Sequence, residues 1–210
     1  SDYLTLEEIA CLKHEYLILQ SLDRSSIIKA YQLEAGRALI LEDFDGLPLS
    51  TILGQQSLYL SEILHIGIQL AETLAYLHEQ RIIHKNLKTA NIWFDPATLQ
   101  VKLFDFSLAT WLGHETQTVS NPKLLEGTLA YLSPEQTGRM NRTIDYRTDF
   151  YSLGVVLYEL LTGQLPFQAS DPLELIHCHI ARTPLSPYEW GTNSQEEAHH
   201  SQQRILIPIT

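Results

Sequence analysis

The sequence has little of what marks a secreted, membrane-spanning or nucleic-acid-binding protein. It contains only 2 cysteines, Cys11 and Cys178, which lie far apart, so no disulfide framework is predicted and a reducing compartment suits the chain. No apolar run approaches the roughly 20 residues that cross a bilayer, and the first residues lack the charged and then apolar layout of a signal peptide. A net charge of −11 with scattered Lys and Arg argues against a nucleic-acid partner. We therefore expect a cytoplasmic protein without a membrane or nucleic-acid partner.

The composition that is present suits one folded domain, because 44% of the 210 residues are apolar and can form a hydrophobic core. Apolar residues at helical spacing predict helices at Thr5–Leu22, Ser61–Gln80, Arg147–Leu161 and Pro172–Ile180. Thr5 with Glu8 predicts a capping box at the start of the first helix, and Gly163 is predicted to end the third. The helix that follows Ser61 is expected to bury Leu64, Ile68, Leu70, Leu74 and Leu77. Short aliphatic runs on either side of turn residues predict hairpins at 27–41 and 92–104.

Other segments show neither the helical spacing nor the short aliphatic runs that predict strands. Asp43–Leu49, which contains Gly and Pro, is predicted to be a linker. Thr110–Glu126 is polar and is predicted to be a mobile loop. The segment 191–210 is rich in Ser, Gln, Glu and His over most of its length and is predicted to be a disordered tail.

Short motifs carry the strongest functional signal. They are, in chain order, His84-Lys85-Asn86-Leu87-Lys88-Thr89-Ala90-Asn91, Asp105-Phe106-Ser107 and Ser133-Pro134-Glu135. In this order and at this spacing they resemble the catalytic loop, the metal-binding loop and the A-P-E motif of the protein kinase superfamily. The stretch from Gly127 to Gly154 is similar to the serine/threonine kinase-like domain that opens large multi-module bacterial signalling proteins of the cyanobacterial type. Those proteins carry ATPase and sensor histidine kinase modules downstream.

The resemblance covers about residues 5 to 187 and implies an α+β, bilobal, kinase-like fold. The small lobe would be truncated to a helix and a hairpin, and the large lobe would be mostly α-helical. Residues 1–48 are accordingly assigned to a remnant small lobe and hinge, residues 49–190 to the large lobe with its catalytic and activation loops, and residues 191–210 to the disordered tail. In the predicted activation loop the candidate phosphate acceptors are Thr116, Thr118 and Ser120.

The resemblance also implies ATP and Mg²⁺ as cofactors. Asp105 would be the main metal ligand and Asn91 the second, since Mg²⁺ is held by carboxylate and amide oxygens in kinases. Lys88 would lie against the γ-phosphate, and backbone groups from Glu42 to Phe44 would face the adenine. Asp and Asn also cap loops and turns in proteins without any ligand, so a purely structural role for both is the alternative.

Further positions match residues that support the kinase fold. His84 would pack beneath the metal-binding loop beside Phe106 and would not act as a base. Asp149 would accept backbone N–H groups of the catalytic loop. Glu15 matches the glutamate that pairs with the small-lobe lysine. Glu135 would be poorly paired, because the sequence after it does not resemble the helices that supply its arginine in the family.

The sequence departs from the family at the position that matters most for catalysis. Asn86 stands where kinases have the Asp that accepts the proton of the substrate hydroxyl, and an amide cannot act as that base. Ser107 replaces the Gly of D-F-G, and Lys85 replaces the Arg of the catalytic loop. No residue before Glu15 resembles the Gly-rich phosphate loop or the lysine-bearing strand. The roof over ATP is therefore predicted to be missing and Glu15 to lack its partner.

These features favour a degenerate kinase or pseudokinase module that transfers phosphate weakly or not at all and docks a protein partner or the downstream signalling modules. The alternative is an active Mg·ATP-dependent serine/threonine kinase within a longer chain that supplies the roof. A third hypothesis, a gene remnant that folds poorly, requires no retained function. A cooperative unfolding transition would separate the first two hypotheses from the third.

Overall fold

The computed structural model describes residues 4–113, 128–139 and 142–189, and all helices and strands named below lie within those ranges. The α-helices are α1 (Leu6–Gln20), α2 (Leu49–Gln55), α3 (Leu60–Glu79), α4 (Arg147–Thr162) and α5 (Pro172–Ala181). The strands are β1 (Ala30–Glu34), β2 (Ala38–Leu41), β3 (Leu47–Pro48), β4 (Ile82–Ile83), β5 (Ile92–Asp95), β6 (Gln100–Leu103) and β7 (Thr110–Trp111). Small sheets followed by a helical second half confirm the predicted α+β class.

Helix α1 begins at a capping box that the sequence predicted. The Thr5 hydroxyl accepts a hydrogen bond from Glu8 N at 3.2 Å, and the Glu8 carboxylate accepts one from Thr5 N at 2.7 Å. Together these bonds satisfy N–H groups that a helix start leaves unpaired. The helix buries Ile18 and Leu19 near its end, where it joins the hydrophobic core.

Strands β1 and β2 form the first predicted hairpin, which is antiparallel. Its turn has positive φ at both central residues, Ala35 at 46° and Gly36 at 68°, and Arg37 N donates to Glu34 O at 2.8 Å. A type I′ turn requires positive φ at both positions, which favours glycine at the second. The hairpin packs against α1.

The sheet β3-β5-β6 brings two of the predicted motifs together. Strand β5 starts directly after the catalytic-loop motif, and β6 ends directly before the metal-binding motif. The two strands are antiparallel, and Ile92 pairs with Leu103. Because these residues are adjacent across the sheet, Asn91 and Asp105 lie next to each other at its end. The second predicted hairpin is thereby confirmed.

The core of the helical part is formed by α3 packing against α4. Helix α3 matches the predicted range closely, but the prediction of its buried face was partly wrong. Leu64 and Ile68 are exposed, at 58% and 60% of their surface, and the buried positions include Ile63 and Ile66 instead. Apolar residues occur on both sides of this helix, so their spacing alone did not identify the face that meets α4.

Some of the other predicted boundaries match the structure, and others are shifted by short strands and helices. Helix α4 ends, as predicted, at Gly163, whose φ of 70° is the left-handed conformation typical of a helix C-terminus. The predicted linker ends earlier than expected, because α2 starts at Leu49 immediately after Pro48. The predicted mobile loop begins as strand β7, which pairs with β4.

The rest of the predicted activation loop, the three candidate acceptors Thr116, Thr118 and Ser120, and the predicted tail at 191–210 lie outside the described residues. Within the described ranges, none of the helices combines the length and the apolar character needed to span a membrane.

The corrected face of α3 leads to a stability prediction. Leu70 is fully buried, so Leu70→Ala should leave a cavity and lower the free energy of unfolding by about 2–5 kcal/mol. The matched control Leu64→Ala, on the same helix at an exposed position, should change it by less than about 0.5 kcal/mol. Urea denaturation followed by circular dichroism measures both. Equal losses for the two variants would contradict the observed packing.

Candidate functional site

The catalytic-loop motif is fastened to α4 by Asp149. This carboxylate is fully buried, and it accepts hydrogen bonds from His84 N at 3.0 Å and Lys85 N at 2.9 Å. The ring of His78, on α3, contributes Nε2 at 2.9 Å from Asp149 Oδ2. A buried charge requires such partners, because desolvation penalises it strongly. Asp149 thus occupies the scaffolding position that the resemblance implied.

His84 has no access to solvent and cannot exchange protons with a ligand. Its Nδ1 accepts a hydrogen bond from Asn86 N at 3.3 Å, and its Nε2 lies 3.2 Å from Phe104 O, which fits a neutral ring with the proton on Nε2. Burial lowers the pKa of His84. The ring packs edge-on against Phe106, with centroids 4.6 Å apart. His84 therefore supports the loop structurally, in agreement with the sequence.

Asp105 lies at the centre of the candidate site and receives hydrogen bonds on both carboxylate oxygens. Asn86 Nδ2 donates to Oδ2 at 2.7 Å, and Asn91 Nδ2 donates to the same oxygen at 3.1 Å. The Ser107 hydroxyl and backbone N–H donate to Oδ1. The backbone of Asp105 has a φ of 59°, a left-handed conformation that is uncommon for a residue with a side chain.

The contact with Asp105 determines how the Asn86 amide is oriented. A carboxylate only accepts hydrogen bonds, so the amide has to present its nitrogen to Asp105. Its other end, Oδ1, is buried and has no hydrogen-bond partner among the described residues. An unpaired buried oxygen costs about 1–3 kcal/mol, so the bond to the charged Asp105 outweighs that loss. The side chain is only 5% exposed and has no basic lone pair to offer a substrate hydroxyl.

Asn91 is arranged differently, in a way that suits a metal ligand. Its Nδ2 donates to Asn86 O at 2.9 Å as well as to Asp105 Oδ2, so both N–H groups of the amide are engaged. The amide oxygen Oδ1 is then the atom left for a cation. Carboxylate and amide oxygens can both ligate Mg²⁺, so the side chains of Asp105 and Asn91 are chemically compatible with one such ion. Among the described residues, no group of three or more His, Cys, Asp or Glu is placed to hold a metal ion.

Lys88 connects the catalytic loop to the segment that precedes the A-P-E motif. Its Nζ donates to Thr128 Oγ1 at 3.0 Å. The next residue, Thr89, is hydrogen-bonded to the hydroxyl of Tyr131 at 2.9 Å, and Tyr131 in turn donates to Glu159 on α4. Burial raises the pKa values of both Tyr131 and Glu159. These contacts connect the Lys88 segment to α4.

Helix α1 contacts the metal-binding loop directly. Glu15 Oε1 accepts a hydrogen bond from Phe106 N at 2.9 Å, and His14 Nε2 lies 2.6 Å from Ala109 O. The sequence predicted that Glu15 would lack the lysine partner found in the family, and its hydrogen bond in the structure comes from a backbone donor instead. The role of His14 was missed, because nothing in the local pattern indicates a contact 95 residues away.

The predicted hinge residues make contacts through their side chains. The Glu42 carboxylate accepts a hydrogen bond from Lys29 N at 2.9 Å and forms an ion pair with Lys102. The Lys102 ammonium also lies 5.7 Å from the centroid of the Phe44 ring, a cation–π distance. Gly46 follows in a confined position, where a Cβ would come within 2.9 Å of the Phe94 backbone. These contacts fix the segment to which the sequence assigned the adenine.

Glu135, which the sequence predicted to be poorly paired, has a partner within the described residues. Thr148 Oγ1 donates to its Oε1 at 2.8 Å. A small cavity beside it is also lined by Arg142 and Arg147. The donor is a neutral hydroxyl, and the prediction that Glu135 lacks the arginine of the family stays a prediction.

Comparison with known proteins agrees with this geometry. The family model described as protein kinase domain matches residues 5–205. The serine/threonine-protein kinase PknB of Mycobacterium tuberculosis is 33% identical over 150 residues, which are 71% of this chain and 24% of PknB. The serine/threonine-protein kinase PrkC of Bacillus subtilis is 32% identical over an alignment of 214 positions, which covers 100% of this chain and 32% of PrkC. The chain thus spans about a quarter to a third of the length of these relatives.

The contact of Glu15 with the metal-binding loop predicts a pH dependence of stability. Burial raises the pKa of Glu15, with a smaller contribution from the charge of Asp105. A raised pKa means that the folded state favours the protonated form, so Glu15 makes its largest contribution to stability below its unfolded pKa. That contribution declines as the pH rises through the folded pKa.

Glu15→Gln retains an oxygen for the Phe106 N–H and cannot ionise. We expect its free energy of unfolding to fall less than that of the unchanged chain when the pH is raised from about 4 to about 7. Urea titrations at several pH values measure this, with Glu34→Gln at an exposed position as the control. Parallel pH curves for Glu15→Gln and the unchanged chain would contradict the burial of an ionised Glu15.

Proposed function

This chain belongs to the protein kinase family, and on that premise we propose that it is a pseudokinase signalling module that transfers phosphate weakly or not at all. The observation that carries the proposal is the Asn86 amide, whose nitrogen donates to Asp105 at 2.7 Å. The position that should accept the proton of a substrate hydroxyl therefore carries a neutral amide. General base catalysis contributes typically 10²–10⁴-fold in enzymes, and the proposal expects the rate to be lower by a factor in that range.

We propose further that the site still binds ATP and Mg²⁺. Asp105 and the Oδ1 atom of Asn91 would hold one ion, and Lys88 would turn its ammonium from Thr128 to the γ-phosphate. Bound Mg²⁺ supplies charge neutralisation for the phosphates. Backbone groups between Glu42 and Phe44 would hold the adenine. The contacts of these residues with one another and with the large lobe support the assignment.

The biological role follows from a kinase fold without its base. We propose that the module acts in the cytoplasm by docking a protein partner, or further signalling modules of a longer protein. The matched relatives are three to four times longer than the aligned part, which supports a place within a larger signalling protein. In this proposal residues 1–48 belong to the small lobe and hinge, and residues 49–190 to the large lobe.

A second candidate function is an active serine/threonine kinase. It is favoured by the intact support of the catalytic loop, in which Asp149 accepts hydrogen bonds from two loop N–H groups. Phosphoryl transfer has a loose transition state, so positioning and charge neutralisation achieve much of the catalysis. In this case the unchanged chain would phosphorylate Ser or Thr despite Asn86.

One substitution distinguishes the two candidates. Asn86→Asp places a carboxylate at the position of the missing base and should raise phosphoryl transfer by about 10²-fold or more. The assay measures transfer of radiolabel from the γ-phosphate of ATP to the chain itself and to a mixed Ser/Thr peptide pool. Asp105→Ala in the same background should abolish the gain.

The neutral control is Asn86→Ala, which offers neither an amide nor a base and should remain as inactive as the unchanged chain. If the unchanged chain already transfers phosphate as fast as Asn86→Asp, the pseudokinase proposal fails and the active-kinase candidate stands. Circular dichroism of each variant verifies that the fold is retained.

A further inference from the structure

Two departures from the family motifs, Asn86 and Ser107, place hydrogen-bond donors on the same carboxylate, that of Asp105. Asn86 stands in place of a carboxylate, and Ser107 stands in place of a glycine. In the folded chain both of them donate hydrogen bonds to Asp105, Asn86 to Oδ2 and Ser107 to Oδ1. Neither side-chain donor would exist if the residues of the family motif were present. Both departures therefore provide Asp105 with hydrogen-bond donors from within the protein.

Asp105 has a nearly complete set of partners without any cation. The amide of Asn91 adds a second N–H to Oδ2 at 3.1 Å, and the backbone N–H of Ser107 adds a second donor to Oδ1 at 3.3 Å. A carboxylate only accepts hydrogen bonds, and these donors satisfy both of its oxygens without a cation. If two carboxylates stood at the 2.7 Å separation of Asn86 and Asp105, their like charges would repel unless a cation lay between them.

The negative charge that faces a bound triphosphate is also smaller than in a site with two carboxylates. Asn86 is neutral, so Asp105 is the one ionisable group of the pair. Lys85 and Lys88 lie on the same loop and contribute positive charge. Two further acidic groups lie near this loop: Glu15, whose carboxylate is engaged with Phe106 N, and Asp149, whose carboxylate is engaged with His84 N and Lys85 N. An anion entering this site meets less repulsion than in a site with two carboxylates, where a divalent ion is required to offset it.

We infer that this site binds the phosphates of ATP with or without a divalent cation, because Asn86 and Ser107 take over the stabilisation of Asp105 that Mg²⁺ provides in a two-carboxylate site. The inference rests on the proposed nucleotide site and deepens it. Asn86 is a positioning residue in this mechanism, since it acts on the nucleotide through Asp105. Mg²⁺ can still bind through Asp105 and Asn91, but binding of the nucleotide does not depend on it.

The test measures the dissociation constant of ATP by isothermal titration calorimetry, once in excess EDTA and once in excess Mg²⁺, on the full chain. For the unchanged protein the two constants should agree within about threefold. For Asn86→Asp, binding in EDTA should be weaker than in Mg²⁺ by about tenfold or more, since one added charge repels the phosphates. Mg²⁺ alone should raise the melting temperature of Asn86→Asp by more than that of the unchanged chain.

A second variant keeps the test valid if Asn86→Asp does not fold. Ser107→Gly restores the residue of the family motif, removes the hydroxyl donor to Asp105 and introduces no charge. It should raise the dissociation constant in EDTA relative to the constant in Mg²⁺ by about threefold. Circular dichroism before each titration establishes which variants are folded.

The outcomes separate the two proposals. If the unchanged chain binds ATP only with Mg²⁺, the inference of cation-independent binding is overturned and the proposed nucleotide site stands. If ATP binds under neither condition, the proposed nucleotide site itself is wrong and the inference falls with it. If all variants bind ATP equally in EDTA and in Mg²⁺, Asn86 and Ser107 are not the cause, and the inference is overturned as stated.

Discussion

The hydrogen bonds of the buried Asp149 carboxylate are the interaction on which the rest of the site depends. They join α4 to the backbone of the catalytic loop at His84 and Lys85, and through His78 they also include α3. An ionised carboxylate at 0% exposure is tolerated only with such donors. The positions of Asn86 and Asn91 follow from this attachment, because both lie on the loop that it holds.

The chemistry of the site depends on a second carboxylate, that of Asp105, whose partners are mainly side chains. Asp105 lies where the ends of β5 and β6 meet, and its oxygens are shared among Asn86, Asn91 and Ser107. A loop with the arrangement found in kinases thus contains an amide at position 86. The attachment of the loop and the chemistry of this position depend on different residues, Asp149 and Asn86.

Much of the fold could be predicted from local signals. Thr5 with Glu8 at the start of α1, and Gly163 at the end of α4, are short-range patterns whose physical cause lies within one turn of helix. The motif order also identified Asp149 as a support of the loop. The buried face of α3 could not be derived in the same way, because Leu64 and Ile68 have the same helical spacing as the residues that are buried.

The details of the site depended on contacts between distant parts of the chain. The orientation of the Asn86 amide is determined by Asp105, 19 residues away, and the partner of Glu15 is the backbone of Phe106, 91 residues away. Backbone donors leave no trace in the sequence, so a search for a lysine partner of Glu15 could not find this one. Such contacts require the tertiary structure.

The two contacts of α1 with the metal-binding loop have a mechanical consequence. Glu15 and His14 are adjacent on the helix, and their partners, Phe106 N and Ala109 O, lie within one short segment of the loop. A hydrogen bond weakens steeply once its atoms separate beyond about 3.5 Å, so a small displacement of the helix breaks both bonds at once. The two bonds are therefore kept or lost together. A displacement of α1 also acts on Phe106, whose ring packs against His84.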